Sequence, residues 1–332
     1  MIHTQALTRT FTSGKQSVEA VAGIDLDIGR GELVAVLGPN GAGKSTTLRM
    51  LTSLLPPTSG VARVAGIDVT ADPAGVRARI GYVGQKDGAG HNYRVADELL
   101  MQGRFYGLDR AAARQRVDEL LNTLDLPGLG MRKVSTLSGG QKRRLDIALG
   151  LVHSPGLLFL DEPTTGMDPQ ARANLWEHIG ALRERLGMTI VVTTHYLEEA
   201  DAMAERVVIV DHGKIIADDT PARLKRNLAG DHIDVTVPRA QEVVAREVLA
   251  QLGTEPGTVP AVVDPVPGGA VPRAELVGVR VRVPSGPAAL PPALARLAAA
   301  GVEVSAASAQ QPTLDDVFLN LTGRSLREGA EA

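Results

Sequence analysis

The 332-residue sequence contains no cysteine, which excludes disulfides, thiolate metal sites, iron–sulfur clusters and cysteine nucleophiles and leaves a reducing compartment open to it. No run approaches the roughly 18 uninterrupted apolar residues of a membrane-spanning helix, and residues 1–10 lack a basic segment followed by an apolar core. A cytoplasmic chain is expected, whose membrane role, if any, is borrowed from a partner. Nor does one sign of charge dominate: 35 basic against 38 acidic residues leave a formal net charge of −3, so no bulk attraction to nucleic acid is expected. What remains is ordinary globular composition, 44% hydrophobic and 22% charged, over a length suited to two domains with separate cores.

Up to about residue 225, short apolar runs alternate with glycine-containing turns and helical patterns, as in an α/β sheet domain. Residues 33–37, 157–160, 189–193 and 207–210 read as buried strands. A polar, arginine-rich interval over about 97–147 has helical spacing at Val117, Leu120, Leu121 and Leu124, which predicts a helical subdomain inserted into the sheet domain. The segment KRNLAGD at 225–231 is the expected domain boundary. Beyond it, residues 231–332 parse as strand 232–237, helix 239–252, weak strand 259–263, strand 276–283, helix 288–300 and strand 302–306. That βαββαβ order predicts a small ferredoxin-like α+β domain, with a proline–glycine loop at 266–273. A last amphipathic helix, opened by a Thr313/Asp316 capping box and carrying Leu314, Val317, Phe318 and Leu321, is expected to dock back.

The strand LVAVL runs directly into Gly38-Pro39-Asn40-Gly41-Ala42-Gly43-Lys44-Ser45-Thr46, which satisfies GxxxxGK[ST] between a strand and a helix. Glycines let successive N–H groups curl toward phosphate oxygens, and the helix adds the positive end of its dipole. Lys44 is placed to bridge terminal phosphates, and Ser45 offers a hydroxyl to Mg²⁺. A second apolar strand, 157–160, delivers Asp161 and Glu162 at its tip. Asp161 there suits the metal, and Glu162 suits the role of base for an attacking water.

A second glycine motif, Leu137-Ser138-Gly139-Gly140-Gln141, opens a helix and forms another anion-type site without a lysine. The neighbouring basic run Lys142, Arg143 and Arg144 reads as a solvated helix face rather than a nucleic-acid patch.

In motif order, the phosphate loop, Gln85 in YVGQ, LSGGQ, LLFLDEP, Gly166-Met167-Asp168-Pro169 and His195 in TTHYLEEAD, the first domain resembles the nucleotide-binding subunits of ABC transporters, and the fold expected is a P-loop NTPase cassette of that kind. The resemblance implies ATP and Mg²⁺ as ligands and a head-to-tail homodimer that sandwiches two ATP molecules. Each phosphate loop then faces Ser138, Gly139, Gly140 and Gln141 of the other copy, with Asp168 at the interface. It also implies that Gln85 senses the metal and water, that His195 contacts the γ-phosphate, and that Phe11 stacks on adenine. Plain core burial is the competing reading of Phe11. The closing PTLDDVFL and the extra C-terminal domain resemble the daunorubicin-resistance type of exporter ATPase. That resemblance implies a separate membrane-spanning permease, a peripheral position on the inner face of the cell membrane, and export of a hydrophobic drug or antibiotic. Departures are Met167 in place of leucine and the polar, glycine-rich stretch 86–92 after Gln85, in the region that faces the permease in this family. The alternative reading is a non-transport relative acting on DNA or ribosomes, disfavoured by the single cassette and the lack of a heptad insertion or basic tail.

Overall fold

The computed structural model describes residues 1–14, 16–229, 231–252, 254–259 and 276–323. These fall into two compact units that divide between Pro221 and Ala222.

In the first unit, continuous apolar runs form strands buried on both faces, as parallel sheets require. The chain runs β1 (Ile2–Ser13), β2 (Gln16–Ile28), β3 (Leu33–Leu37), α1 (Lys44–Leu51), β4 (Ser59–Val64), β5 (Ile67–Asp68), α2 (Pro73–Arg77) and β6 (Ile80–Val83). Helices α3 (Val95–Phe105), α4 (Arg110–Thr123) and α5 (Gly139–Leu151) follow, then β7 (Leu157–Asp161), α6 (Pro169–Leu186), β8 (Thr189–Thr194), α7 (Leu197–Met203), β9 (Arg206–Asp211) and β10 (Lys214–Asp219); the short α8 (Pro221–Leu224) begins on the last residue of this unit and continues into the second. Six strands form one sheet in the order β10-β9-β3-β8-β7-β6, parallel except for β10. All five residues of β3 and of β7 are buried. A separate antiparallel sheet, β2-β1-β4-β5, packs its apolar face, including Leu7, Ile24 and Val64, against Val34, Val36, Phe159 and helix α1 residues Leu48 and Leu51. The main core lies between these two sheets. The helices α3, α4 and α5 occupy the interval in which a helical insertion is expected, beginning at Val95 rather than 97.

The second unit contains β11 (Asp231–Pro238), α9 (Glu242–Ala250), β12 (Thr254–Val259), β13 (Leu276–Val283), α10 (Gly286–Ala299), β14 (Ala306–Gln310) and α11 (Leu314–Thr322). Its antiparallel sheet has the order β12-β13-β11-β14, the arrangement of a split βαββαβ unit. Ile233, Val235, Val237, Val279 and Val281 face Ala245, Leu249, Ala293 and Leu297 of the two helices.

Two strands depart from expectation. The weak strand lies at Thr254–Val259 instead of 259–263, because hairpin pairing with β13 matches Thr254 to Arg282 and Val259 to Gly278. Residues 260–263 and the loop 266–273 lie outside the described residues. The last strand is Ala306–Gln310 instead of 302–306. Val302 closes the end of α10 by donating its N–H to Leu297 O, and pairing with β11 begins only at Ser305. Residues 225–229 within the expected linker form a helical turn against which α11 packs. The Thr313/Asp316 capping box is present on α11, with Leu314, Val317 and Phe318 buried.

Candidate active site

The strand–loop–helix β3–α1 places Gly38 through Thr46 at the carboxyl end of the parallel sheet. Two glycines there are sterically required. A Cβ on Gly38 would sit 2.1 Å from Val210 O, and one on Gly43, whose φ is +105°, would sit 2.4 Å from Ala20 O. Lys44 is only 4% exposed, and its ammonium donates to the carbonyls of Gly38 at 2.7 Å and Pro39 at 3.0 Å, so it is held across the mouth of its own loop. Burial pushes its pKa down, and the charges of Glu162 and Asp161 oppose that shift.

The acidic pair arrives on β7. Asp161, 1% exposed, accepts hydrogen bonds at Oδ1 from Ser45 Oγ at 2.9 Å and Thr193 Oγ1 at 2.7 Å. Its other oxygen, Oδ2, is buried without a hydrogen-bond partner. An unsatisfied buried carboxylate oxygen beside a serine hydroxyl fits a divalent cation, which would supply the missing contact. Gln85 adds its side chain, with Nε2 3.4 Å from Ser45 Oγ. Among the described residues no group of three or more His, Asp or Glu side chains forms a metal cage, so a cation here would draw on Ser45, Asp161, Gln85 and phosphate oxygens.

Glu162 sits in the left-handed region at φ 47°, a costly conformation for a residue with a side chain. Its N–H is pinned by both the carbonyl (3.1 Å) and the hydroxyl (3.0 Å) of Thr193. Thr165 Oγ1 donates to Oε2 at 3.2 Å, and His195 Nδ1 lies 3.6 Å from the same oxygen. The His195 side chain, with further help from Lys44 and Thr165, holds the Glu162 carboxyl below its usual range against the effect of burial. The carboxylate is therefore ionised and aimed by its neighbours.

Ser138, Gly139, Gly140 and Gln141 lie at the start of α5, where Ser138 and Gln141 form a reciprocal capping box. Asp168 caps α6 by accepting from Ala171 N at 2.9 Å. Ser138, Gly139, Gly140 and Asp168 border one open depression that also contains Gly166, Met167 and Asn174 but no residue of the 38–46 loop. Each cap contributes about 1 kcal/mol of helix stability, so substitutions at Ser138 or Asp168 carry a folding effect as well.

Phe11 is 42% exposed on β1, which rules out the core reading, and the Arg9 guanidinium lies 4.7 Å over its ring. It pairs with Val18 on β2, two residues before Ala20, whose carbonyl abuts Gly43 of the phosphate loop. The ring thus stands on the sheet that borders the loop.

Three side chains have roles that the motifs do not assign, although two of them, Thr193 and Glu199, lie within TTHYLEEAD. Thr193, at the end of β8, registers both acids at once. Glu199 is buried and accepts from Thr164 and Thr194, while pairing with Arg172 at 3.3 Å; Arg172 in turn covers the Tyr196 ring that packs on His195. Arg143 corrects the solvated-face reading of its basic run. It is 8% exposed, and its guanidinium donates to three backbone carbonyls inside the unit. The stretch after Gln85 is likewise anchored, through Gly88 N donating to Asp146 Oδ1 at 2.9 Å and Lys142 pairing with Asp87 at 3.9 Å.

A glycine-rich phosphate cradle, an acid pair at the tip of the neighbouring strand and an inserted helical subdomain define a nucleotide-hydrolysing ATP-binding cassette. The family described as ABC transporter matches residues 21–165. Over 341 residues, 99% of this chain and 98% of the relative, the sequence is 41% identical to the daunorubicin/doxorubicin resistance ATP-binding protein DrrA of Streptomyces peucetius. It is 35% identical over 318 residues (95% and 96%) to the linearmycin resistance ATP-binding protein LnrL of Bacillus subtilis strain 168. Among solved structures, the dimeric post-hydrolysis ATP-binding cassette MJ0796 bound to ADP and Pi matches with a TM-score of 0.62 and 27% identity, over 66% of this chain and 98% of that one. The chain belongs to the ABC transporter family, as an ATP-binding subunit that hydrolyses ATP.

Proposed function

We propose that two copies of this chain sandwich ATP head to tail beneath a separate membrane-spanning permease and drive export of a hydrophobic drug or antibiotic. The observation that carries the reading is the pairing of one complete phosphate site, at Lys44, Ser45, Asp161 and Glu162, with a second, lysine-free anion surface at Ser138–Gln141 on the same unit. Beyond capping α5, a surface of that kind gains a nucleotide to meet when it completes the site of another copy. Dimerisation of the related cassette with ADP and Pi supports this, and the drug-resistance relatives support the class of cargo.

Within such a site, Lys44 neutralises charge on the terminal phosphates, and the ionised Glu162 accepts a proton from the attacking water. His195 steadies Glu162 and faces the γ-phosphate. Ser45, Gln85 and Asp161 Oδ2 would hold Mg²⁺, which would supply positive charge against the phosphates of ATP. The partner copy's serine and glycine N–H groups close the cradle, so ATP stabilises the dimer and hydrolysis loosens it. Adenine stacks on Phe11.

No helix among the described residues is long and apolar enough to cross a membrane, so the reading requires a permease. The surface beside Gln85 suits one. An open depression there is lined by exposed Leu54 together with Tyr82, Gly84, Lys86, Gln102 and Tyr106. The test is to express tagged Glu162→Gln chain in its native cells, solubilise gently with ATP present, and identify what copurifies. A polytopic membrane protein in comparable amount is expected; ribosomal or DNA-associated proteins in its place would end the transport reading.

A further inference from the structure

Arg143 lies one turn inside α5, directly behind the LSGGQ turn, and each of its three guanidinium nitrogens has a different task. Nη1 donates to Gly84 O at 2.6 Å, on the residue before Gln85. Nη2 donates to Asp161 O at 3.2 Å, and Nε donates to Pro163 O at 2.8 Å, so the two carbonyls bracket Glu162. Its charge is balanced by Asp146, 4.0 Å away and one turn further along the same helix, which also accepts from Gly88 N on the far side of Gln85. Lys142 reaches Asp87 from the same helix. The first turns of α5 therefore grip the Gln85 loop on both sides and the Asp161–Glu162 turn on both sides. A planar, always-charged fork with five fixed donors suits three carbonyls that each meet a different guanidinium nitrogen, a geometry that the compact point charge of an ammonium does not reproduce.

We propose that Arg143 is a positioning residue for hydrolysis: it locks the start of α5 to the Gln85 loop and to the Glu162 turn, so that engagement of Ser138–Gln141 by the partner's nucleotide is carried to the water-orienting groups of this chain's own site. The inference rests on the dimeric reading above. Arg143 touches neither phosphate loop nor substrate position among the described contacts. Its effect runs through the backbone of Gly84, Asp161 and Pro163, and a displacement of the order of 1 Å at an attacking-water position is enough to lose one or two powers of ten in rate.

The test compares Arg143→Lys and Arg143→Gln with the parent chain, using three readouts: fluorescent ATP-analogue affinity, ATP-driven dimerisation in a Glu162→Gln background, and steady-state kcat and KM. Both variants are expected to bind the analogue and dimerise within about two-fold of the parent, to melt cooperatively, and to lose at least about ten-fold in kcat with KM little changed. Lys, which reaches one carbonyl with its charge intact, recovers more of the rate than Gln. Unchanged kcat in both variants overturns the proposal. So does a kcat loss that appears only alongside equal losses in nucleotide affinity and melting temperature, since that is the signature of a merely structural arginine. Failure of the dimeric reading is visible separately: Glu162→Gln with Arg143 intact would then stay monomeric at saturating Mg-ATP, whatever the Arg143 variants do to kcat.

Discussion

Ser45 Oγ and Asp161 Oδ1 lie 2.9 Å apart although 116 positions separate them in the chain, and this contact ties the helix after the phosphate loop to the tip of β7. Thr193 donates to the same oxygen, while Oδ2 is buried without a hydrogen-bond partner, which fits a cation there. Asp161→Asn keeps an acceptor for both hydroxyls and removes the charge. It is expected to bind ATP in the absence of divalent metal within about two-fold of the parent, to lose the tightening that Mg²⁺ brings, and to hydrolyse ATP at least about a hundred-fold more slowly. Titration of a fluorescent ATP analogue in EDTA and in Mg²⁺ checks this; an undiminished Mg²⁺ effect in the variant would take Asp161 out of the metal site.

Glu162 is ionised, pinned through its N–H, and in contact with His195. Glu162→Gln retains shape and hydrogen bonding but has no basic oxygen for the water's proton. The expected outcome is turnover reduced by two or more powers of ten (about 10²–10⁴) and a dimer that persists on size-exclusion chromatography in Mg-ATP but dissociates in ADP. A variant that remains monomeric at saturating Mg-ATP would remove the sandwich from the mechanism.

The parts of the site that were legible are those whose chemistry is contiguous. Residues 33–46 contain the strand, the glycines, the lysine and the hydroxyl in one stretch, and β3 and α1 form where that stretch implies. The run at 157–160 ends in its acids because a doubly buried strand must deliver polar residues at its tip. The antiparallel sheet was not legible as strands. Its first strand alternates apolar with threonine, glutamine and arginine, and its register shifts between Thr4 and Leu7 and again between Arg9 and Thr10, so no clean period survives. Arg143 was hidden for a different reason. Between Lys142 and Arg144 it looks like one of three solvated cations, yet a 100° step per residue turns only one of the three inward, and composition does not say which. Thr193 and Glu199 gain their roles only when β7, β8 and α7 meet. The shift of the last strand to Ala306–Gln310 has the same character, since the valine at 302 belongs to the helix closure and the strand itself is alanine, serine and glutamine.

Phe11 offers an exposed ring backed by Arg9, on the sheet that borders Gly43. A half-exposed stacking contact contributes about 1 kcal/mol, or roughly five-fold in affinity. Phe11→Ala is therefore expected to raise the Kd for ATP about five-fold with kcat unchanged, while Phe11→Tyr stays near the parent. Isothermal titration with ATP and with inorganic triphosphate separates the base from the phosphates: the loss should appear for ATP alone, and an equal loss for triphosphate would show that Phe11 does not meet the base.

His153 closes α5 against β6. Its Nε2 lies 2.9 Å from Ile80 O and its ring stacks on Tyr106, with centroids 3.7 Å apart. Bonding to a carbonyl requires Nε2 to carry the hydrogen, and burial pushes the pKa below the ordinary 6.5, opposed by the Ile80 carbonyl and assisted by the charge of Arg116. With the folded value below the unfolded one, the unfolded chain binds the extra proton between them. Stability from this site is thus present above about pH 6.5 and is lost as pH falls through the window beneath it. His232 in the second unit shifts in the same direction, so a signal confined to the first unit is needed. The sole tryptophan, Trp176 on α6, provides one. The parent's melting temperature, followed by Trp176 fluorescence, is expected to fall between pH 7.5 and pH 5.5, and to fall measurably less in His153→Gln, whose amide still donates to Ile80 O. Identical pH slopes in the two proteins would show that the proton is taken up elsewhere.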